Sequence, residues 1–242
     1  VVTGAAGDQF LGFSGVNGRG EIFKGGGQVV KNVTGYDLPK LMAGSYGTLA
    51  FLGEVTVKTL PRPEKVRTVL FHGLDAVAGN LAMTKVLGSN CDVSGAACLP
   101  EGLALRSKTE LVGGKGSVTA FRLEGSAPSV EHRCAILREL AGGDTEELHS
   151  RNSASFWQEM RDVAAFVEPD AILWRISVPP AEGAKVAAGF SIDISGCSYF
   201  FDWGGGLIWL ALPATAGANA EKIRAALKPC GGHASLVRAP DH

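Results

Sequence analysis

The hydrophobic and polar positions follow two different patterns, and the change lies near residue 60. Before it, glycines and β-branched residues dominate. The turn Asn17-Gly18-Arg19-Gly20 carries the Asn-Gly pair that favours a hairpin between strands at residues 10–16 and 21–23. The β-branched run over residues 49–57 predicts a buried strand. A small β-rich region is therefore expected at the start of the chain.

After a linker predicted at residues 60–64, where Pro61 and Pro63 interrupt any helix or ladder, the order strand–helix–strand–strand–helix occurs twice. Strands are predicted at residues 66–72, 92–99, 116–123, 171–178, 196–201, 207–212 and 234–238. Helices are predicted at residues 75–88, 129–140, 181–190 and 219–227, with N-caps at Asp75, Ser129 and Asn219. The helix over residues 75–88 has the apolar positions Leu74, Val77, Leu81 and Val86.

Between the two repeats of this order, the pattern over residues 145–166 predicts an extra helical segment. Its apolar face comprises Phe156, Trp157, Met160, Val163 and Phe166. The second region is thus predicted to be an antiparallel sheet with helices on one face, built from two ferredoxin-like βαββα units. The fold class predicted for the whole chain is α+β.

Composition excludes several function classes. The chain has 242 residues, 45% hydrophobic and 19% charged, with a net charge of −1, so neither a nucleic-acid partner nor an anionic membrane surface is indicated. No apolar run is long enough for a transmembrane segment. Five cysteines without a C-x-x-C pair indicate reduced, mostly buried thiols in a cytosolic protein. Because the chain starts at Val1 in what reads as the middle of a structure, we expect a fragment.

The segment over residues 29–49 carries the strongest candidate chemistry. It combines glycines with short polar side chains: Gly35, Gly44 and Gly47 with Asn32, Thr34, Ser45 and Thr48. Glycines let a backbone approach a ligand closely, and clustered N–H groups and hydroxyls suit a phosphate or the polar edge of a flat ring. This pattern predicts a loop that holds a large planar cofactor.

Several segments in and around this loop are similar to those of a known class of proteins. The segments are GGQVVKNVTGYD (residues 26–37), LMAGS (41–45), GTL (47–49) and LPRP (60–63). The chain resembles the FAD-linked oxidases of the vanillyl-alcohol oxidase or PCMH class and, within it, the E subunits of bacterial glycolate oxidase. The resemblance in sequence covers residues 1–63, and beyond them it rests on the order of elements.

The resemblance implies a two-domain flavoprotein. Residues 1–63 would be the C-terminal part of a PCMH-type FAD-binding domain, and residues 64–242 an α+β cap on the substrate side. The residues that would line FAD or shape its loop are Asn32, Thr34, Gly35, Tyr36, Gly44, Ser45, Gly47 and Thr48. The alternative is that Tyr36 and Leu41 pack in the core and the glycines only form turns.

The same resemblance implies an FAD-dependent oxidoreductase that acts on a small 2-hydroxy acid, with a sister flavoprotein subunit and an iron–sulfur subunit as partners. The location would be cytoplasmic, or peripheral at the inner membrane through those partners. FAD is expected for the full-length protein. The N-terminal lobe that grips the FAD pyrophosphate is not in this sequence, so we expect a chain truncated at the N-terminus to lose most of the FAD contacts. Residues 1–63 contain no histidine or cysteine, so covalent flavin attachment is not expected there.

Two departures from the family pattern change the expected role. Tyr46 stands where many relatives have an acidic residue, and the chain lacks the His-x-x-Asp-Gly-Asn-like segment of the relatives that oxidise hydroxy acids. No catalytic residue is assigned and no metal is expected. This favours electron relay or support of the complex. The alternatives are a non-catalytic assembly subunit without flavin, and an independent ligand-binding module formed by the duplicated region.

Two further residues allow two interpretations each. Arg175, inside a predicted strand, is either an inward-facing clamp for a carboxylate or an arginine that faces solvent or an ion pair. Trp203, in the predicted tight turn between two strands, is either at a flavin-facing rim or an indole packed in a hairpin loop.

Overall fold

The structure is a computed structural model that describes residues 4–29, 35–168 and 170–240. The chain forms two compact units, Val1–Arg62 and Pro63–His242, and each is described by itself. The boundary falls in the segment with Pro61 and Pro63. The roles that the sequence predicts for the two regions, a flavin domain and a cap, stay predictions.

The described residues form eight α-helices and eleven strands. The helices are α1 (Ala6–Gln9), α2 (Leu38–Met42), α3 (Ala76–Leu87), α4 (Glu101–Ala104), α5 (Ala127–Ala141), α6 (Ser150–Arg161), α7 (Gly183–Asp193) and α8 (Ala220–Leu227). The strands are β1 (Phe10–Asn17), β2 (Ile22–Gly26), β3 (Ala50–Val57), β4 (Lys65–His72), β5 (Gly95–Leu99), β6 (Val118–Gly125), β7 (Thr145–His149), β8 (Ile172–Ser177), β9 (Ser198–Asp202), β10 (Leu207–Leu212) and β11 (His233–Arg238).

The first unit is a three-stranded antiparallel sheet in the order β2-β1-β3. The predicted hairpin is confirmed: Val16 pairs with Ile22, and the Asn17 side chain accepts hydrogen bonds from the N–H groups of Arg19 (2.9 Å) and Glu21 (3.1 Å). Helix α2 covers one face of the sheet through Met42. The fold of this unit therefore follows from its turn chemistry.

Two expectations for this unit are wrong. Strand β3 is an edge strand and not a buried one, and the Phe51 side chain is 75% exposed. A β-branched run predicts a strand, but burial also needs an element over each face, and among the described residues of this unit a helix lies over one face only. The expected loop contains α2, which begins after the N-cap Asp37 with Pro39 in its first turn. This is an ordinary helix start that the glycine-rich context concealed.

The second unit is an eight-stranded antiparallel sheet in the order β11-β8-β10-β9-β5-β6-β4-β7. Read from each edge to the centre, the first repeat runs β7-β4-β6-β5 and the second β11-β8-β10-β9, which is the ferredoxin-like strand order in both. The repeats join where Cys98 of β5 lies opposite Phe201 of β9. The predicted duplication is confirmed.

The symmetry of the sheet relates positions in the two repeats. From Cys98, strand pairing leads through β6 to Phe71 of β4, and from Phe201 it leads through β10 to Ile176 of β8. Leu70 and Arg175 each precede these residues by one position and are therefore counterparts. In the same way Leu99 of β5 is the counterpart of Asp202 of β9. The four residues of these two pairs lie on one face of the sheet, because each is an even number of positions or a direct pairing away from the others.

Helices cover both faces of this sheet, which corrects the expectation of helices on one face. Helices α3, α5, α7 and α8 pack on one face over Phe121, Trp174 and Ile208. Helices α4 and α6 pack on the opposite face over Leu70 and Phe200. Both helices come from the first repeat or directly follow it, and the second repeat has no counterpart of either among its described residues.

Two local expectations are corrected. The segment over residues 145–166 begins with the edge strand β7 before α6, and its charged residues Glu146 and Glu147 hide the strand pattern. Val77 and Leu81 are exposed on α3, which packs through Gly79 and Met83 instead. A Cβ at Gly79 would lie 2.6 Å from the Cys98 Sγ atom, so the helix approaches the sheet too closely for a larger residue.

Of the three predicted N-cap residues, Asp75 and Asn219 occupy the N-cap position, but only Asp75 caps its helix through its side chain. The Asp75 carboxylate accepts hydrogen bonds from the N–H groups of Val77 (3.0 Å) and Ala78 (2.8 Å). Ser129 lies inside α5, whose N-cap is Ser126. Asn219 occupies the N-cap of α8, but its side chain donates to the Ala216 carbonyl instead of capping. Capping residues are common near helix starts, and the local chain path decides which one is used.

Candidate functional site

Within the described part of the first unit, most of residues 35–49, which precede β3, are exposed. The predicted cofactor residues Asn32 and Thr34 lie outside the described residues. The other six are at least partly accessible: Gly35, Tyr36, Gly44, Ser45, Gly47 and Thr48. Tyr36 is 93% exposed and Leu41 is 58% exposed. Neither packs in the core, so the alternative that placed them there is wrong.

The backbone after α2 forms a tight turn. The φ angles of Gly44 (+81°), Tyr46 (+51°) and Gly47 (+74°) are all in the left-handed region. The Thr48 N–H and hydroxyl both donate to the Ser45 carbonyl, at 3.0 and 2.6 Å. The N–H groups of Tyr46 and Gly47 donate to no described residue. The turn thus presents two neighbouring N–H groups that are available to a ligand.

The chemistry of this donor set fits part of a flavin nucleotide. A Cβ placed at Gly35, Gly44 or Gly47 would meet nothing within 4 Å, so a ligand can reach the backbone there. The Tyr46 side chain is 96% exposed and presents a flat ring beside the available N–H groups. Backbone N–H groups in a left-handed turn suit an anionic or carbonyl oxygen. The role of the predicted residues in holding FAD stays a prediction.

A second polar site lies on the sheet of the second unit. The Arg175 guanidinium lies over the Trp203 ring, with its central carbon 4.9 Å from the ring centroid. Trp203 is 40% exposed and follows β9 in a 3₁₀ turn, Trp203–Gly205. Sequence analysis singles out the two residues separately, and the structure brings them together. The missing signal was the sheet order, which places β8 two strands from β9.

Asp202 fixes the start of that turn. Its carboxylate accepts a hydrogen bond from the Trp203 N–H at 2.7 Å. Burial raises the pKa of the Asp202 carboxyl, while the hydrogen bond from Trp203 and the charge of Arg122 act to lower it. Asp202 therefore helps to orient the Trp203 indole on which the Arg175 guanidinium stacks.

Other nucleophiles and metal ligands are scarce in the described part of the chain. All five cysteines are free and three of them are buried, as predicted. Burial raises the pKa of the Cys98 and Cys134 thiols to about 11, so both are uncharged near neutral pH. In the described ranges, no group of three or more His, Cys, Asp or Glu side chains is arranged to hold a metal ion. None of the described helices is long and apolar enough to cross a membrane.

Comparison with known proteins identifies relatives in sequence, although no protein-family model matches. The chain is 34% identical over 241 residues to the glycolate oxidase subunit GlcE of Escherichia coli (strain K12), which covers 99% of the chain and 57% of GlcE. Over almost its whole length the chain is similar to the glycolate oxidase E subunit. The resemblance found in the sequence is thereby confirmed, and it extends beyond residue 63 through the whole duplicated unit.

A shorter match concerns another glycolate oxidase subunit. The chain is 40% identical over 77 residues to GlcD of Bacillus subtilis (strain 168), which covers 31% of the chain and 16% of GlcD. The chain spans little more than half the length of GlcE and a much smaller part of GlcD.

Solved structures show the fold. p-Cresol methylhydroxylase with bound substrate matches 90% of the chain with a TM-score of 0.63 at 12% identity, over 54% of its own chain. 4-Ethylphenol oxidase from Gulosibacter chungangensis matches 98% of the chain with a TM-score of 0.66 at 14% identity, over 59% of its own chain. The chain therefore shares the α+β fold of these two enzymes.

Proposed function

We propose that the chain is part of an FAD-linked subunit of a 2-hydroxy acid oxidase or dehydrogenase complex of the glycolate type. The observation that carries this proposal is the 34% identity to GlcE over 99% of the chain. The match to GlcD supports a sister flavoprotein as a partner. An iron–sulfur subunit would complete the complex, and the location would be cytoplasmic or peripheral at the inner membrane.

The loop of the first unit would hold part of the cofactor. Its members would be Asn32, Thr34, Gly35, Tyr36, Gly44, Ser45, Gly47 and Thr48. When bound, FAD accepts a pair of electrons from an organic substrate or a partner and passes them on. The N–H groups of Tyr46 and Gly47 would donate hydrogen bonds to the cofactor, and the exposed tyrosine rings would exclude water from it.

Within this complex we assign the chain an electron-relay or supporting role. The sequence has no His-x-x-Asp-Gly-Asn-like segment, which the resemblance leads us to expect in a subunit that oxidises the hydroxy acid directly. In this proposal residues 1–63 belong to the FAD-binding domain and residues 64–242 to the cap.

A visible absorption spectrum tests the proposal. The protein is purified together with the subunits that accompany it, and a second sample is reconstituted with FAD. We expect flavin bands that stay with the protein through gel filtration and bleach when the 2-hydroxy acid is added to the complex. A protein without flavin after reconstitution, but still required for assembly of the other subunits, contradicts the proposal and supports a non-catalytic assembly subunit.

A further inference from the structure

Arg175 differs from the other arginines that are partly or fully buried in the second unit. Four such residues donate hydrogen bonds to carboxylates, hydroxyls or carbonyls: Arg67, Arg122, Arg133 and Arg238. Arg175 donates none to any described residue, and no carboxylate of the described chain lies in ion-pair distance. No nitrogen of Arg175 is fully buried, so its unpaired N–H groups are open to solvent and to an anionic ligand.

The protein holds this guanidinium in place by stacking. Trp203 lies under it at 4.9 Å, and an indole is the best aromatic partner for a guanidinium. Stacking uses the flat face of the guanidinium and leaves the N–H groups at its edge available. Trp203 itself has a φ angle of +52°, an uncommon conformation for a bulky residue, and Asp202 supports it through the bond to its N–H. The donor fork is therefore oriented before any ligand arrives.

The neighbours of Arg175 on the same face suit a small polar molecule. Ser235 of β11 lies directly opposite Arg175, and Ser177 lies two residues further along β8. Their hydroxyls make no hydrogen bond to the described residues. On the other side, the partly buried Trp209 of β10 lies opposite Arg175. One cation, two hydroxyls and two indoles surround this position, and the Asp202 carboxylate, which accepts from the Trp203 N–H, lies on the same face two strands away.

We propose that Arg175 binds the carboxylate of a small organic acid on this face, with Ser177 and Ser235 as hydrogen-bonding partners and Trp203 as the positioning residue. A planar carboxylate matches the two parallel N–H groups of a guanidinium edge. The choice of a 2-hydroxy acid among such acids rests on the proposed function. Its hydroxyl would meet the serine hydroxyls while its carboxylate meets Arg175.

A titration followed by NMR tests this site. The probes are glycolate, ethylene glycol as its uncharged analogue, and inorganic phosphate, at constant ionic strength. The indole N–H signals of the four tryptophans are recorded, and Trp203→Phe assigns the signal of Trp203. We expect glycolate to shift the Trp203 signal saturably in the millimolar range, while ethylene glycol leaves it unchanged.

The variants Arg175→Leu and Arg175→Lys separate binding from folding. Arg175→Leu is expected to weaken glycolate binding at least about tenfold, as loss of a charge-assisted hydrogen bond predicts, and Arg175→Lys to weaken it less. Arg151→Leu, which removes an exposed arginine on α6, is the matched control and should bind as the wild type does. Unchanged signals of Trp157 and Trp174, which lie outside the proposed site, show that a variant is folded.

Several outcomes would overturn the inference. They are a Trp203 signal that does not respond to glycolate, equal affinity in Arg175→Leu, and phosphate binding as tight as glycolate binding. Loss of subunit association in Arg175→Leu without any glycolate response would assign Arg175 to a protein interface instead. Flavin absorbance is read separately: flavin without glycolate binding contradicts this inference alone, and glycolate binding without flavin contradicts the proposed function alone.

Discussion

The two repeats of the second unit use the same face of the sheet differently. The first repeat places Leu70 and Leu99 there, and both are fully buried in the cluster beneath α4 and α6. At the equivalent positions the second repeat places Arg175 and Asp202, which are partly accessible. At these two positions the first repeat thus uses the face for packing, whereas the second repeat has polar side chains there, although its Leu173 and Phe200 are buried on the same face. Duplication provides the frame in which one copy can carry a site.

The largest expected effect separates the two repeats by stability. Leu70→Ala should lower the free energy of unfolding by about 2–5 kcal/mol, because it opens a cavity among fully buried residues. Arg175→Leu at the equivalent position should change it by no more than about 1 kcal/mol, because the interaction that it removes is the stacking of the guanidinium on Trp203. Urea unfolding followed by circular dichroism measures both. Equal losses of unfolding free energy in the two variants would mean that both positions contribute to stability in the same way, and would contradict the comparison.

A smaller difference in stability is expected between the N-caps of α3 and α7, which are equivalent helices of the two repeats. Asp75→Ala should cost about 1 kcal/mol, because the carboxylate accepts two N–H groups at the start of α3. Glu182→Ala at the N-cap of α7 should cost almost nothing, because that side chain makes no capping bond. The same unfolding measurement compares them. A larger loss in Glu182→Ala would show that the capping assignment is wrong.

The sequence predicts features that depend on local contacts, and it does not predict those that depend on how the strands are ordered. Asp75 and the Asn17 hairpin were predictable because each depends on contacts within a few residues. The buried side of α3 was not predictable, because the need for glycine at position 79 comes from the close approach of Cys98, which lies on a later strand. The pairing of Arg175 with Trp203 was likewise hidden, because it depends on the order of strands in the sheet.

The smallest expected effect is a pH dependence at the polar position Asp202. Burial raises the pKa of this carboxyl in the folded state, so the folded protein binds the proton more tightly than the unfolded chain. Stability contributed by the protonated form is therefore lost as the pH rises from the unfolded pKa, about 3.9, through the raised folded pKa. Asp202→Asn keeps an acceptor for the Trp203 N–H without the charge. Its melting temperature relative to the wild type should be higher at pH 7 than at pH 4, and the opposite trend would contradict the assignment.

The central claim, that the loop of the first unit holds part of FAD, is tested most directly by an FAD titration of the protein and two matched variants. Gly47 and Gly231 have nearly the same φ angles, +74° and +72°, and a Cβ at either would meet nothing within 4 Å. Asparagine tolerates this conformation, so both variants should fold. We predict that Gly47→Asn weakens FAD binding at least about tenfold while Gly231→Asn leaves it unchanged. Equal FAD affinity in Gly47→Asn and the wild type would contradict the account.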